Sequence, residues 1–102
     1  MTGWATGICK TNGIDVNYLR TGGGNSPVVL LHGLMTNGAC WTPLARTLEK
    51  DYDVVMPDAR GHGKSSAPDH GYHYNDLAAD VIGLIDTLSL ACPSCLAILW
   101  EV

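Results

Sequence analysis

Pro27-Val28-Val29-Leu30-Leu31-His32-Gly33 is the stretch on which the fold turns. Successive side chains of a strand point to opposite faces, so an apolar run without polar alternation predicts a strand buried on both faces, as in a parallel sheet. The run is too short for a helix and ends abruptly at a polar residue and a glycine. His32-Gly33 therefore falls at the C-terminal end of a parallel strand, where open α/β sheets bind their ligands. Position alone leaves two readings open. The pair can be an ordinary strand-to-helix turn, or a loop whose glycine lets backbone N–H groups approach a ligand closely.

Reading outward, Trp41, Leu44, Ala45 and Leu48 recur at helical spacing, and Pro43 is tolerated in a first turn where its missing N–H costs little. Tyr52 to Met56 reads as a second buried strand, ended by Pro57-Asp58. Asp58 to Tyr72, broken by Gly61, Gly63, Pro68 and Gly71, is a long loop. Asn75 can cap a helix running to about Leu88. Its apolar stripe is Leu77, Val81, Leu84, Ile85 and Leu88, with Asp76, Asp80, Gly83 and Thr87 on the other side. Upstream, Gly7 to Lys10 and Ile14 to Leu19 flank Thr11-Asn12-Gly13, and Asn-Gly is a strong hairpin signal because both turn residues need positive φ. Thr21 to Ser26, with three glycines, is a flexible loop. The order predicts one domain of the α/β class: a β-hairpin, then β-α-β-α with parallel strands and right-handed crossovers.

Composition narrows the function. The chain has 102 residues with 46% apolar and 16% charged, which argues against disorder. Six Lys+Arg against ten Asp+Glu, with no basic run, gives no electrostatic footprint for nucleic acid. The N-terminus lacks the basic and apolar regions of a signal peptide, and no stretch approaches the roughly 20 apolar residues of a membrane span, so a cytoplasmic location and no membrane partner are expected. Cys92-Pro93-Ser94-Cys95 has the spacing of a redox or zinc pair. A zinc site would need about two more ligands, and free thiols at Cys9, Cys40, Cys92 and Cys95 are the expectation. Neither metal nor cofactor is expected.

Asp58-Ala59-Arg60-Gly61-His62-Gly63-Lys64-Ser65-Ser66 is the most distinctive segment. Gly63-Lys64-Ser65 matches the end of a phosphate loop, but Asp58 stands where its first glycine should be and Pro68 interrupts the helix that should follow. Nucleotide binding is rejected on those grounds. Taken together, Pro27 to Gly33, Trp41, Val54-Val55-Met56-Pro57-Asp58-x-Arg60-Gly61-x-Gly63-x-Ser65, and Tyr74, Leu77, Asp80 and Val81 resemble the N-terminal part of the α/β-hydrolase superfamily over about residues 7 to 90.

The resemblance implies that His32, Gly33 and Leu34 form an oxyanion loop, the backbone N–H of Leu34 being one donor to the tetrahedral intermediate. It implies that Asp58, Arg60, Gly61, Gly63 and Ser65 belong to a loop that braces the site, with unusual φ at the two glycines. His62, His70 and His73 are expected in loops or facing solvent, none of them at the place of the family's catalytic histidine. The family's nucleophile lies in Gly-x-Ser-x-Gly, one strand beyond the helix at 75–88, and these 102 residues contain no such motif. No residue of the catalytic triad is therefore expected here. A partial hydrolase domain over 1–93 and a divergent tail over 94–102 are expected instead.

The tail suggests a cause. Ser94 to Val102 can be back-translated as TCC TGC CTG GCC ATT CTA TGG GAG GT. Read from the third base, the same string encodes Leu-Pro-Gly-His-Ser-Met-Gly-Gly, which contains the missing motif. A frameshift near codon 93 or 94 is the resulting hypothesis. In the family's sheet order, the strand at 28–31 lies between the strand at 52–56 and the next one. Cys95 to Trp100 can pair there as a substitute, or the open apolar edge leads to self-association. The expected function is that of a fragment of a serine hydrolase for a small acyl substrate, inactive alone. The alternative is a non-catalytic short form acting as an interaction or regulatory module. His32-Gly33-Leu34-Met35 lacks the proline common in dehalogenase-like and epoxide-hydrolase-like relatives, which leans toward esterase, lactonase or carbon–carbon hydrolase types.

Overall fold

A computed structural model describes residues 4–22, 26–32, 37–70, 72–88 and 97–100. Five strands and two α-helices alternate as expected: β1 (Ala5–Thr11), β2 (Ile14–Arg20), β3 (Pro27–Leu31), α1 (Thr42–Leu48), β4 (Asp53–Pro57), α2 (Tyr74–Thr87) and β5 (Ala97–Trp100). A 3₁₀ turn at Gly38–Trp41 leads into α1, and Pro43 lies in the helix's first turn. The strands form one sheet in the order β1-β2-β4-β3-β5.

β1 and β2 pair antiparallel from Ala5↔Arg20 to Thr11↔Ile14. The turn between them holds Asn12 at φ 50° and Gly13 at φ 78°, the left-handed values that Asn-Gly supplies at least cost. β2 then pairs antiparallel with β4, while β3 pairs parallel with β4.

The apolar run at β3 has both faces covered. Val29 and Leu31 join Cys9, Ile14, Val16, Val55 and Leu84 in a core beneath α2. Val28 and Leu30 join Trp4, Ala45, Val54 and Met56 in a second core beneath α1, flanked by Trp41, Leu44 and Leu48. Adjacent residues of β3 and β4 thus serve opposite layers, which is why neither strand alternates polar with apolar. Trp4 closes the second layer, its indole N–H donating to Glu49 Oε1 at 3.0 Å.

β5 answers the question left by the open edge of β3. Ala97, Ile98, Leu99 and Trp100 pair parallel with Val28, Val29, Leu30 and Leu31. The tail run therefore occupies the position beside β3, and among the described residues the sheet ends at β5.

Two local readings need correction. α2 begins at Tyr74 with His73 as its N-cap, not at Asn75. Asp76 reaches back to the His73 N–H at 3.1 Å, and this bond fixes the start one residue before Asn75. Asp80 and Gly83 also do not lie on an outer face. Asp80 is buried, and a Cβ on Gly83 would collide with Thr11 at the hairpin. The buried arc of α2 is wider than its apolar stripe because the hairpin tip and the loop after β4 pack on its flank.

Candidate active site

β4 ends at Pro57, while β2 still presents main-chain groups at Asp15 and Asn17 on the side β4 has vacated. The loop after β4 satisfies them in place of a strand. Asp58 N–H donates to the Asn17 carbonyl at 2.8 Å, and Ser66 N–H donates to the Asp15 carbonyl at 2.8 Å. In the other direction the acceptors are hydroxyls: Asn17 N–H donates to Ser65 Oγ at 2.8 Å and Asp15 N–H to Ser66 Oγ at 2.9 Å. Ser65 Oγ in turn donates its own hydrogen bond to the Asp58 carbonyl at 2.5 Å. The loop is thereby pinned along β2 although it carries no regular structure.

Asp58, buried at the C-terminal end of β4, is the centre of this arrangement. Its Oδ1 accepts the Gly38 N–H at 2.7 Å, and its Oδ2 accepts the Lys64 N–H at 3.0 Å and Asn17 Nδ2 at 3.1 Å. Gly61 and Gly63 have φ of 78° and 51°. At Gly63 a Cβ would also strike the Asp58 carboxylate, so both backbone conformation and space require glycine there.

Arg60 turns the other way, toward α2. Its Nε and Nη2 donate to Asp80 Oδ2 and Oδ1 at 3.0 and 2.8 Å, and Nη1 reaches the His70 carbonyl at 3.4 Å. Asp80 Oδ1 also accepts Asn12 Nδ2 at 2.8 Å. The side chains of Arg60 and Asp80 are only 6% and 8% exposed. The hydrogen bonds of Asp80 raise the Arg60 pKa above its ordinary value, outweighing the opposing effect of burial. Hairpin, α2 and loop thus meet at one fully paired charge. A second ion pair, Arg20 with Asp53, braces the opposite end of β4 at 2.7 Å.

His32 is buried at the end of β3, and its Nε2 accepts the Ala59 N–H at 2.8 Å. An accepting Nε2 places the ring proton on Nδ1. His62 lies beside it, ring centroids 5.0 Å apart, with Nδ1 at 3.0 Å from the Arg60 carbonyl. Of the other histidines, His70 and His73 are exposed. His32, Asp58, Arg60, Gly61, Gly63 and Ser65 therefore converge on the C-terminal ends of β3 and β4. Gly33 and Leu34 lie outside the described residues, as do Cys92 and Cys95. Cys9 is buried and Cys40 exposed, both as free thiols. Among the described residues no cluster of His, Cys, Asp or Glu could hold a metal ion, and no helix is long and apolar enough to cross a membrane.

The sequence reading assigned no role to Asn17 or Gly38, and it placed Asp80 in the family-like motif but on the helix's other side, not as the partner of Arg60. Asn17 sits in an alternating strand, and Gly38 resembles any loop glycine. Asp80 carried a usable signal, an acidic residue one helical turn before Leu84 in a stripe otherwise apolar on that side.

The sheet order, the helical layer on each face and the polar loops gathered at the parallel strand ends define an α/β protein, and the candidate site lies at those strand ends. A family model described as the alpha/beta hydrolase fold matches residues 26–91, and the chain belongs to that family. The chain is 42% identical over 67 residues to 2-(acetamidomethylene)succinate hydrolase of Mesorhizobium japonicum, covering 65% of this chain and 24% of the relative. It is 36% identical over 83 residues to epoxide hydrolase A of Mycobacterium tuberculosis, covering 78% of this chain and 26% of the relative. The solved enol-lactonase of Burkholderia xenovorans superposes with a TM-score of 0.79 at 36% identity, over 83% of this chain and 34% of the enzyme. The chain spans about a quarter to a third of the length of these relatives.

Proposed function

We propose that this chain supplies the oxyanion side of a serine hydrolase active site for small ester, amide or lactone substrates, with the nucleophile, acid and catalytic histidine lying outside its 102 residues. One observation carries the reading. His32 and Gly38, on either side of residues 33–36, are both held by consecutive residues of the loop after β4. Ala59 N–H binds His32 at 2.8 Å, and Asp58 binds Gly38 at 2.7 Å. Fixed flanks of this kind are what an oxyanion donor placed between them requires, since a donor that must reorganise during reaction stabilises the transition state less. Leu34 N–H is the donor in this reading, and Asp58, Arg60, Gly61, Gly63 and Ser65 brace it.

In the intact site a serine would attack the substrate carbonyl, a histidine would take its proton, and the Leu34 N–H would receive the developing negative charge. The enol-lactonase and the succinate-derivative hydrolase among the relatives favour a carbonyl substrate. The frame-shifted tail, Gly-His-Ser-Met-Gly, is the proposed source of the nucleophile. We place the protein in the cytoplasm.

Two measurements test this. The gene read across codons 93 to 102 is expected to encode Gly-His-Ser-Met-Gly in the shifted frame, and any other sequence there removes the frameshift. The purified chain is expected to resist fluorophosphonate labelling and to leave p-nitrophenyl acetate unhydrolysed. Labelling of any of its serines, accompanied by turnover, would overturn the placement of the nucleophile.

A further inference from the structure

The Asp58 carboxylate is held from three directions, two of them from outside its own loop. Gly38 N–H reaches Oδ1 at 2.7 Å and Lys64 N–H reaches Oδ2 at 3.0 Å. The third donor, Asn17 Nδ2 at 3.1 Å from Oδ2, belongs to β2. Alternation along β2 points Ile14, Val16 and Tyr18 toward α2. Asn17 is thereby set on the opposite face. Its main chain is committed to the same loop, with N–H to Ser65 Oγ and carbonyl to Asp58 N–H, both at 2.8 Å. A carboxylate only accepts, so the contact fixes the amide nitrogen toward Asp58.

We infer that Asn17 is a positioning residue: its side-chain amide sets the rotation of the Asp58 carboxylate, and through it the Gly38 N–H at the point where the chain re-enters after the segment 33–36. The terminal torsion of an aspartate is broad, so two donors on Oδ2 are what keep Oδ1 aimed at Gly38. With the Asn17 amide removed, Lys64 N–H alone holds Oδ2, and it sits next to Gly63 in a loop without regular structure. The functional meaning of this coupling rests on the oxyanion reading above. The coupling itself is measurable without it.

The test follows amide exchange at Gly38 and Lys64 by NMR in the wild-type chain, Asn17→Ala and Asn17→Asp, each at about pH 7.5 and about pH 5, as protection relative to the wild type at the same pH. Asn17→Ala is expected to lower Gly38 protection about tenfold at both values, the effect of losing one hydrogen bond to a charged group. Asn17→Asp is expected to lower it at least as much at about pH 7.5 and to recover most of it at about pH 5. Two carboxylates at this separation come to share a proton, and the protonated one donates again. A side chain that only filled space would respond alike at both pH values.

Wild-type protection at Gly38 in either variant at about pH 7.5, or no recovery in Asn17→Asp on acidification, overturns the inference. Loss of cooperative unfolding in both variants overturns it too, because Asn17 would then be a residue the whole sheet depends on. A longer form of the protein that bears the serine motif yet hydrolyses nothing would sink the oxyanion reading and leave these amide measurements standing.

Discussion

Replacing Gly38 by alanine probes the join between the 3₁₀ turn and the end of β4. A Cβ there would lie 2.6 Å from the Met56 carbonyl oxygen, 2.9 Å from that of Pro57 and 3.0 Å from the Met56 carbonyl carbon. All three are main-chain atoms at the centre of the sheet and cannot move aside as a side chain could. The turn must back away, and its N–H then leaves Asp58 Oδ1, now 2.7 Å distant in a buried site. Overpacking of this kind costs about 1–3 kcal/mol. Loss of a buried hydrogen bond to a charged acceptor adds about 1.5–3 kcal/mol. The stiffer unfolded chain returns about 0.4–1 kcal/mol. The expected net loss is about 3 kcal/mol, a large fraction of the roughly 5–15 kcal/mol that holds a small domain together. In thermal unfolding it corresponds to a fall of roughly 12 to 24 °C in Tm. Urea unfolding followed by tryptophan fluorescence should show a lower midpoint with an unchanged slope. Gly7→Ala is the internal comparison. A Cβ at Gly7 also collides, but with the ring and hydroxyl of Tyr18, a side chain that can swing away, so a cost below about 1.5 kcal/mol is expected. Equal costs for the two substitutions would refute the reasoning.

The other expectations concern the buried ion pair and the sheet edge. Asp80→Ala leaves the Arg60 guanidinium buried without its two-point partner and strips Asn12 of its acceptor; a loss of about 3 kcal/mol in urea unfolding is expected, and an unchanged midpoint would contradict it. The pH dependence has a definite sign. Because the pKa of Arg60 is raised in the folded state, its contribution is complete at every pH below the unfolded value and fades only at still higher pH. The stability gap between the wild type and Arg60→Lys should therefore stay constant from about pH 6 to about pH 9, and an inflection within that window would count against the pairing. Deleting residues 97–102 removes β5 and bares the Val28–Leu31 edge of β3. Concentration-dependent association in light scattering is expected, whereas a monomer at all concentrations would show that the edge needs no cover.

Much of the fold was legible in the sequence because its signals are local. Asn12-Gly13 wrote the hairpin through backbone φ. The unbroken apolar runs at β3 and β4 announced strands covered on both faces. The stripe from Val81 to Leu88 announced a helix with one buried side. The start of α2 was less legible, because capping at His73 depends on where the Asp76 carboxylate comes to rest. The candidate site was legible in outline only. Asp58, Arg60, Gly61, Gly63 and Ser65 stood out as one motif, and His32 stood out at the end of its strand. What these groups bind was not written near them. Asp58 is held by residues about 20 and 40 positions earlier in the chain, and Arg60 by a residue 20 positions later. A spacing pattern reports which side chains share an element's face. It cannot report which distant donor arrives at a carboxylate, because that depends on where separate strands and helices end in space. The sequence by itself determined the elements, their layers and the strand ends where the candidate site residues lie. Only the tertiary structure decided that β2, running on past the end of β4, would hold the loop by Asn17, and that the tail would close the edge of β3. Both follow from unpaired backbone groups, whose partners are found by proximity and not by sequence distance.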